Sequence, residues 1–580
     1  MKRACAQGLA RRVSGSGRNS ECRLLVPLDC SGTTAGSAVC TSPVSLWPAV
    51  GCEPRTPRGF TPEAVLANTS FFFSQFKEQR RRNAQVGFRA SALRGSAAGR
   101  LHRCFHYPYQ PLCPRCSFDI PRAPPRSQQP SRLPVPRRQT PSPGFPAPHG
   151  RRTWPGMDRE TRVFAESHFR GLEGRLPSRV CPKLDRVDFI EKPDSFSYAD
   201  FFKGYLLPNL PCVFSSAFTE DWGSRRLWVT PSGKPNFDYL LQNYGDVVVP
   251  VANCGVQEYN SNPKEHMPLR DYISYWKEYI QANYSSSRGC LYLKDWHLCR
   301  DFLAEGVFTL PIYFSSDWLN EYWDALDVDD YRFVYMGPTG TWSPFHADVF
   351  RSFSWSVNIC GRKKWFFFPP GQEEALRDCH GGLPYDVTSP TLLDSRLHPM
   401  RDRCGPPLEV TQEAGEMVFV PSGWHHQVHN LEDTISINHN WVNGCNLANM
   451  WHFLQQELSA VQQEVIEWRD TMPDWHHHCQ VIMKSCSGIN FEEFYHFLKI
   501  IAERRLLLLA KGMSLGQVEG GEDTGLGPQQ AAFDIGRIAE VLESVVAHPD
   551  FQRVDPSTFS PRPEVLLRQL EEAVAATTSL

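Results

Sequence analysis

The chain has 580 residues, a formal net charge of −2, and 41% hydrophobic, 12% aromatic and 21% charged residues. Residues 1–156 carry 24 Lys+Arg against 6 Asp+Glu and residues 157–580 carry 37 against 57, so a segment of +18 is joined to one of −20. No apolar run approaches the roughly 18 residues of a membrane span, neither a heptad nor a Gly-X-Y period is present, and Met1–Leu28 lacks the apolar core of a secretory signal.

Residues 1–156 hold 20 of the 47 prolines, and Pro121–Pro155 is dense in Pro, Arg and Ser. That mix favours extended, solvated chain over a packed core, so the segment is predicted to be a disordered extension. Cys113-Pro-Arg-Cys116 has no second pair at zinc-finger spacing, and Arg80-Arg81-Arg82 reads as a solvated charge run. The 19 cysteines are odd in number and irregularly spaced. They predict free thiols in a reducing, cytoplasmic compartment.

Met157-Asp158 opens a stretch of different composition, and a domain is predicted over 157–445. Short β-like runs separated by turn residues fall at 212–215, 246–252, 290–293, 331–336, 355–359, 365–368, 416–420 and 434–442. Helical patterns lie between some of them, at 237–243, 269–282 and 316–325. The fold class is therefore mainly β with α additions, an antiparallel barrel or jelly roll. From 446 to 511 the pattern is helical, with apolar residues from Leu447 to Ile466 at helical spacing and a second helix over 491–509. A Gly-rich linker over 512–528 precedes a helical tail over 529–580, with helices at 531–546 and 563–576.

The chemistry concentrates in two stretches. In Trp342-Ser-Pro-Phe-His346-Ala-Asp348 the His and Asp are two apart. On a strand both would face one side, about 6.5–7 Å apart along the chain. Gly415–His426 reads as a strand, a tight turn and another strand that carries His425 and His426. Two imidazoles and a carboxylate form the facial triad of non-haem Fe(II), with positions left open for a chelating cosubstrate and O2.

Three further features support a pocket. A lysine in the apolar run 363–368 needs an anion if it points inward, and parity leaves Lys363 and Lys364 equal. In 434–441, Ser436, Asn438 and Asn440 alternate with Ile435, Ile437 and Trp441, a polar row against a greasy one. Tyr292 sits in a short apolar run and could offer its hydroxyl to the same anion. The cluster Trp475-His-His-His478-Cys479 with Cys486 could bind a metal but lacks the matched second pair of such a site.

Together these motifs, in order over roughly 185–445, resemble the JmjC family of Fe(II)- and 2-oxoglutarate-dependent oxygenases. The resemblance implies a double-stranded β-helix, a cupin-like jelly-roll barrel with flanking helices. It implies His346, Asp348 and His426 as iron ligands, His426 being chosen because the family pattern is Gly-Trp-x-His. It implies Lys363, Tyr292, Ser343, Asn438 and Asn440 around 2-oxoglutarate, with Ser356 departing from a relative's Asn. O2 is the second cosubstrate, with ascorbate supportive. The reaction implied is lysyl hydroxylation of a translation termination (release) factor, giving succinate and CO2. The competing expectations are a histone lysine demethylase and a non-catalytic binding module. Neither nucleic acid nor membrane is expected as a partner, and the C-terminal helices are a candidate homodimer surface.

Overall fold

The structure, a computed structural model, describes residues 156–171, 184–191, 195–258, 261–302, 306–514 and 527–577. The predicted extension up to residue 155, with Cys113–Cys116 and Arg80–Arg82, lies outside the described residues, as does most of the Gly-rich linker. Asp158 opens the first helix, α1 (Arg159–Arg170), by accepting a hydrogen bond from the Thr161 N–H at 2.7 Å.

Thirteen strands follow among the described residues. They are β1 (Asp188–Ile190), β2 (Cys212–Phe214), β3 (Val248–Asn253), β4 (Lys264–Pro268), β5 (Leu291–Trp296), β6 (Arg332–Gly337), β7 (Trp342–His346), β8 (Phe353–Cys360), β9 (Lys363–Phe368), β10 (Leu408–Gln412), β11 (Met417–Val420), β12 (His425–Asn430) and β13 (Thr434–Trp441). They form a nine-stranded sheet, β1-β2-β11-β8-β13-β6-β5-β3-β4, and a four-stranded sheet, β10-β9-β12-β7. All pairings are antiparallel except β1 with β2. This is the jelly-roll barrel expected of the sequence.

Period-two alternation sorts the side chains of the larger sheet. Phe353, Trp355, Val357 and Ile359 of β8, with Ile435, Ile437 and Trp441 of β13, join an outer core shared with the flanking helices. Ser354, Ser356 and Asn358, with Ser436, Asn438 and Asn440, take the opposite face, toward the barrel interior. Between the sheets Trp365, Phe367 and Val428 meet Val213, Val418 and Val420. Each fully buried side chain of this kind contributes about 1.5–3 kcal/mol.

Five helices are joined to the barrel's C-terminal side: α2 (Leu447–Glu464), α3 (Trp475–Ser487), α4 (Phe491–Ser514), α5 (Pro528–Ala547) and α6 (Pro563–Thr577). Their apolar faces form a second core that also takes in Phe350 and Trp318 of the barrel domain. Arg505 ties the two parts together, pairing with Asp534 at 2.7 Å and Glu321 at 2.8 Å. No described helix is long and apolar enough to cross a membrane.

Some elements escape the sequence patterns. β1 has three residues, too few for a period. β4 is a polar edge strand, largely exposed. Helices α1 and α3 carry charged or histidine-rich faces that mask their apolar side. Helix α4 continues to Ser514 and α5 begins at Pro528, which shortens the predicted linker at its start.

Candidate metal centre

β7 ends at His346, and the chain leaves the sheet before Asp348. The expectation that both residues sit on one strand is corrected here. Asp348 (φ −61°, ψ 154°) precedes the short turn Val349–Arg351, and this departure, not strand alternation, brings its carboxylate to His346. His426 of β12 stands directly opposite His346 in the ladder, with ring centroids 4.5 Å apart. One ligand atom from each of His346, Asp348 and His426 lies within 4.8 Å of the others.

The surrounding hydrogen bonds orient all three. His346 Nδ1 meets the Pro344 carbonyl at 2.7 Å, and His426 Nδ1 meets the Trp424 carbonyl at 3.1 Å. A carbonyl only accepts, so each Nδ1 carries the hydrogen and each Nε2 keeps its lone pair for a metal. Ser354 Oγ donates to Asp348 Oδ2 at 2.6 Å, which leaves Oδ1 free of that bond. Burial, then the neighbouring His426, hold the His346 imidazole neutral, with a pKa pushed down to about 3 against the pull of Asp348. Two imidazoles and one carboxylate are a donor set suited to Fe(II). His425 turns away, toward the Phe345 ring at 5.4 Å and Glu373 at 3.9 Å, so the choice between adjacent histidines falls on His426.

The turn after Asp348 is strained. Phe350 and Arg351 adopt φ of 54° and 55°, left-handed values that cost of order 1 kcal/mol or more for such residues. Phe350 is locked by burial in the C-terminal helical core, and the Arg351 guanidinium lies 5.2 Å from the Phe453 ring of α2. Ser422 Oγ donates to the Arg351 carbonyl at 2.5 Å. The helical layer thereby holds the segment that carries Asp348. Ser354→Ala is expected to weaken Fe(II) affinity about 10- to 100-fold, the usual effect of losing such a supporting hydrogen bond, with little change in folding. A metal titration checks it, and unchanged affinity would remove Ser354 from this role.

A polar cavity lining continues from these residues. Gly361 turns β8 into β9 with φ of +80°, and a Cβ there would meet the Asp433 carbonyl at 2.4 Å, so the turn requires glycine. The register that follows points Lys363 inward and Lys364 outward. Lys363 is 2% exposed and donates to Ser436 Oγ at 2.7 Å, whereas Lys364 pairs with Glu409 at 2.7 Å on the surface. No carboxylate lies within ion-pairing reach of Lys363 among the described residues. Burial, then Lys294, push its pKa down to about 7.

Asn438 Nδ2 donates to the same Ser436 Oγ at 3.1 Å. Asn430 stands opposite Lys363, donates to Thr341 Oγ1 at 2.7 Å and hydrogen-bonds the buried Tyr292 hydroxyl. Tyr292, Lys363 and Asn438 are thus drawn to one end of the barrel. Ser343 is buried on β7 three residues before His346. Asn440 is placed differently: it lies opposite Ser354 and donates to Ser352 Oγ at 3.1 Å, on the Asp348 side.

Three residues of this lining were not singled out by sequence reasoning. Ser354 was legible only through its parity with Trp355. Asn430 stands four residues after His426 on one strand, so it shares the inner face. Lys294, two residues after Tyr292, extends its ammonium over the Tyr292 and Tyr335 rings, 5.8 Å from each centroid. A second group with metal-like spacing, His297, Asp329 and Asp330, is threaded with Arg300 and Arg332 and is an ion-pair network. In the Trp475–Cys486 cluster, His476 bonds Asp550 at 3.0 Å, and Cys479 and Cys486 are buried.

Comparison with known proteins agrees with this geometry. The cupin-like domain family matches residues 198–446. The human 2-oxoglutarate and iron-dependent oxygenase JMJD4 is 76% identical over 421 residues, covering 72% of this chain and 99% of that protein. The chain belongs to the JmjC oxygenases that use iron and 2-oxoglutarate. A mouse protein of the same name is 74% identical over 428 residues, covering 73% of this chain and 100% of its own. An Arabidopsis thaliana protein named arginine-specific demethylase JMJ20 is 37% identical over 349 residues, 57% of this chain and 72% of that protein.

A JmjC oxygenase needs Fe(II) and 2-oxoglutarate, and this interior fits both. The two Nε2 lone pairs and the Asp348 carboxylate suit the ion. The buried Lys363 ammonium lacks an anion, and Ser356 Oγ, Asn358 Oδ1 and Asn430 Oδ1 are buried without hydrogen-bond partners. Such orphaned groups are costly unless a polar ligand meets them.

Proposed function

We propose that this JmjC oxygenase is a protein-lysine hydroxylase whose substrate is a translation termination (release) factor, and that it acts in the cytoplasm. His346, Asp348 and His426 hold the iron. Lys363, Tyr292, Ser343 and Asn438 receive the far carboxylate of 2-oxoglutarate, with Asn440 supporting the Asp348 side. The observation that carries the reaction class is the convergence of the three ligand side chains, within 4.8 Å, in one barrel with a buried, anion-free lysine.

When bound, iron and 2-oxoglutarate supply the oxidation, in which O2 and 2-oxoglutarate give succinate and CO2 and one oxygen atom enters a substrate C–H bond. The chain's own work is positioning. The Pro344 and Trp424 carbonyls keep both Nε2 lone pairs aimed inward. Lys363 offsets the charge of the incoming carboxylate in a setting that water does not screen. Trp365 and Phe367 flank the His426 ring at 5.7 and 5.8 Å and shield it from solvent. The choice of a basic side chain as target is supported by the −20 charge of residues 157–580, which favours approach of a cationic segment. The choice of a release factor rests on the family resemblance of the motifs.

A second reading, removal of N-methyl groups, is favoured by the name of the Arabidopsis relative. Both reactions begin with oxidation of a C–H bond, and the products separate them. Mass spectrometry of release factor from cells with wild-type protein or His346→Ala should show one extra oxygen on a lysine only with wild type. Formaldehyde release from methylated peptides, with no oxygen retained, would replace hydroxylation by demethylation. Identical spectra from the two cell lines would remove the release factor as substrate.

A further inference from the structure

Outside the metal centre, two thiols share a site. Asn253 pairs with Leu291 across β3 and β5, and one step beyond, the Cys254 N–H donates to the Cys290 carbonyl at 2.9 Å. Facing residues of an antiparallel pair project to the same side with Cα atoms about 4.5–5.5 Å apart. That spacing falls inside the roughly 4.4–6.8 Å that a disulfide bridges. The Cys254 S–H donates to the Trp342 carbonyl at 3.3 Å, and neither thiol is in a disulfide.

Cys290 is also partly open to solvent, while Cys254 is 6% exposed. The neighbouring Cys254 and Tyr279 side chains hold the Cys290 thiol below its ordinary pKa, against the effect of burial. Burial pushes Cys212, Cys360, Cys479 and Cys486 the other way. An accessible sulfur stabilised as thiolate, with a second thiol facing it, is the arrangement of peroxide-sensing pairs.

We propose that Cys254 and Cys290 form a reversible dithiol–disulfide site, oxidised by hydrogen peroxide, that tunes cosubstrate binding. The Cys290 sulfur attacks one peroxide oxygen, the O–O bond breaks, and the departing hydroxide takes up the proton Cys290 released, leaving as water. Cys290 is then a sulfenic acid. The Cys254 sulfur attacks it, the S–S bond forms, the S–O bond breaks, and the hydroxyl departs with the Cys254 proton as a second water. Two electrons pass from the sulfurs to the peroxide.

The site is wired to the pocket at two points. Cys254 Sγ lies 3.3 Å from the Trp342 carbonyl, at the start of the strand that carries Ser343 and His346. Cys290 precedes Tyr292 by two residues. Closing the disulfide removes the Cys254 S–H that donates to the Trp342 carbonyl, so oxidation weakens 2-oxoglutarate binding. This effect rests on the pocket assignment above; the cross-link itself does not.

The test uses the full chain loaded with Zn(II) in place of iron, which excludes metal-driven oxidation. After hydrogen peroxide and then alkylation, a peptide map should contain a Cys254–Cys290 link that a thiol reductant reverses. Titration with 2-oxoglutarate should show affinity reduced about three- to tenfold, the size of one lost hydrogen bond. Cys290→Ser should form no link and keep its affinity under peroxide. Cys254→Ser should leave a sulfenic acid on Cys290 that a carbon nucleophile traps. If peroxide leaves both thiols alkylatable, or carries Cys290 to higher acids without a link, the site is overturned. A link with unchanged affinity overturns its control of the pocket. Reduced protein that binds no 2-oxoglutarate overturns the pocket assignment instead.

Discussion

An Asp348→Ala variant is expected to lose more than about a hundredfold in Fe(II) affinity, and with it iron-dependent turnover of 2-oxoglutarate. Loss of a hydrogen bond behind a ligand typically costs about 10- to 100-fold, and loss of a ligand costs more. Asp348 also supplies the sole negative charge of the triad, so its removal leaves two imidazoles facing a dication. The change does not open the core. Asp348 lies beyond the end of β7, and Phe350, two residues later, keeps the turn packed against the C-terminal helices. Metal titration and a thermal melt without metal separate these effects. Tight iron binding by a folded Asp348→Ala protein would refute the assignment of this carboxylate.

Lys363→Met is expected to act in opposite directions on binding and on stability. Truncating one member of a buried, hydrogen-bonded charge pair costs about 2–5 kcal/mol, or roughly 30- to several-thousand-fold in 2-oxoglutarate affinity. Without the cosubstrate the same lysine is a desolvated ammonium bonded to a hydroxyl, so replacing it with an apolar chain of similar length should raise the melting temperature. A structural lysine would lower both. The binding should also depend on pH. The free lysine has a pKa pushed down to about 7, and a bound carboxylate raises it, so binding takes up a proton above that pH. Affinity is therefore level below pH of about 7 and falls as pH rises, approaching tenfold per unit. Lys363→Arg, if it binds, should lack that slope. Calorimetric titrations at several pH values check this, and an affinity that rises with pH would contradict the placement of the ammonium.

Much of the barrel is written in local patterns. β8 alternates apolar and polar residues from Phe353 to Ile359, and β13 does so from Thr434 to Trp441 save at His439, because one face packs on helices and the other lines the interior. The helix from Leu447 is equally plain, since its apolar stripe supplies a core. β1 and β4 were not, one being too short and the other a solvated edge. The site shows the same division. His346 and the two candidate histidines stood out as residue types, but the assumption of a strand through Asp348 was wrong, because dihedrals after residue 346 depend on packing by α2 and Phe350.

By itself the sequence determined the donor chemistry: two imidazoles, a carboxylate, an interior-capable lysine and a polar row on a strand of known parity. Strand parity left Lys363 and Lys364 equal and the family motif named Lys363 and His426; the tertiary structure then turned Lys363 inward, set His426 opposite His346, and alone decided which hydroxyls and amides lack partners. The reason is physical. Parity within a strand is local, but the face that becomes the interior is set by the register of one strand against another, and that register is fixed by contacts far apart in the chain.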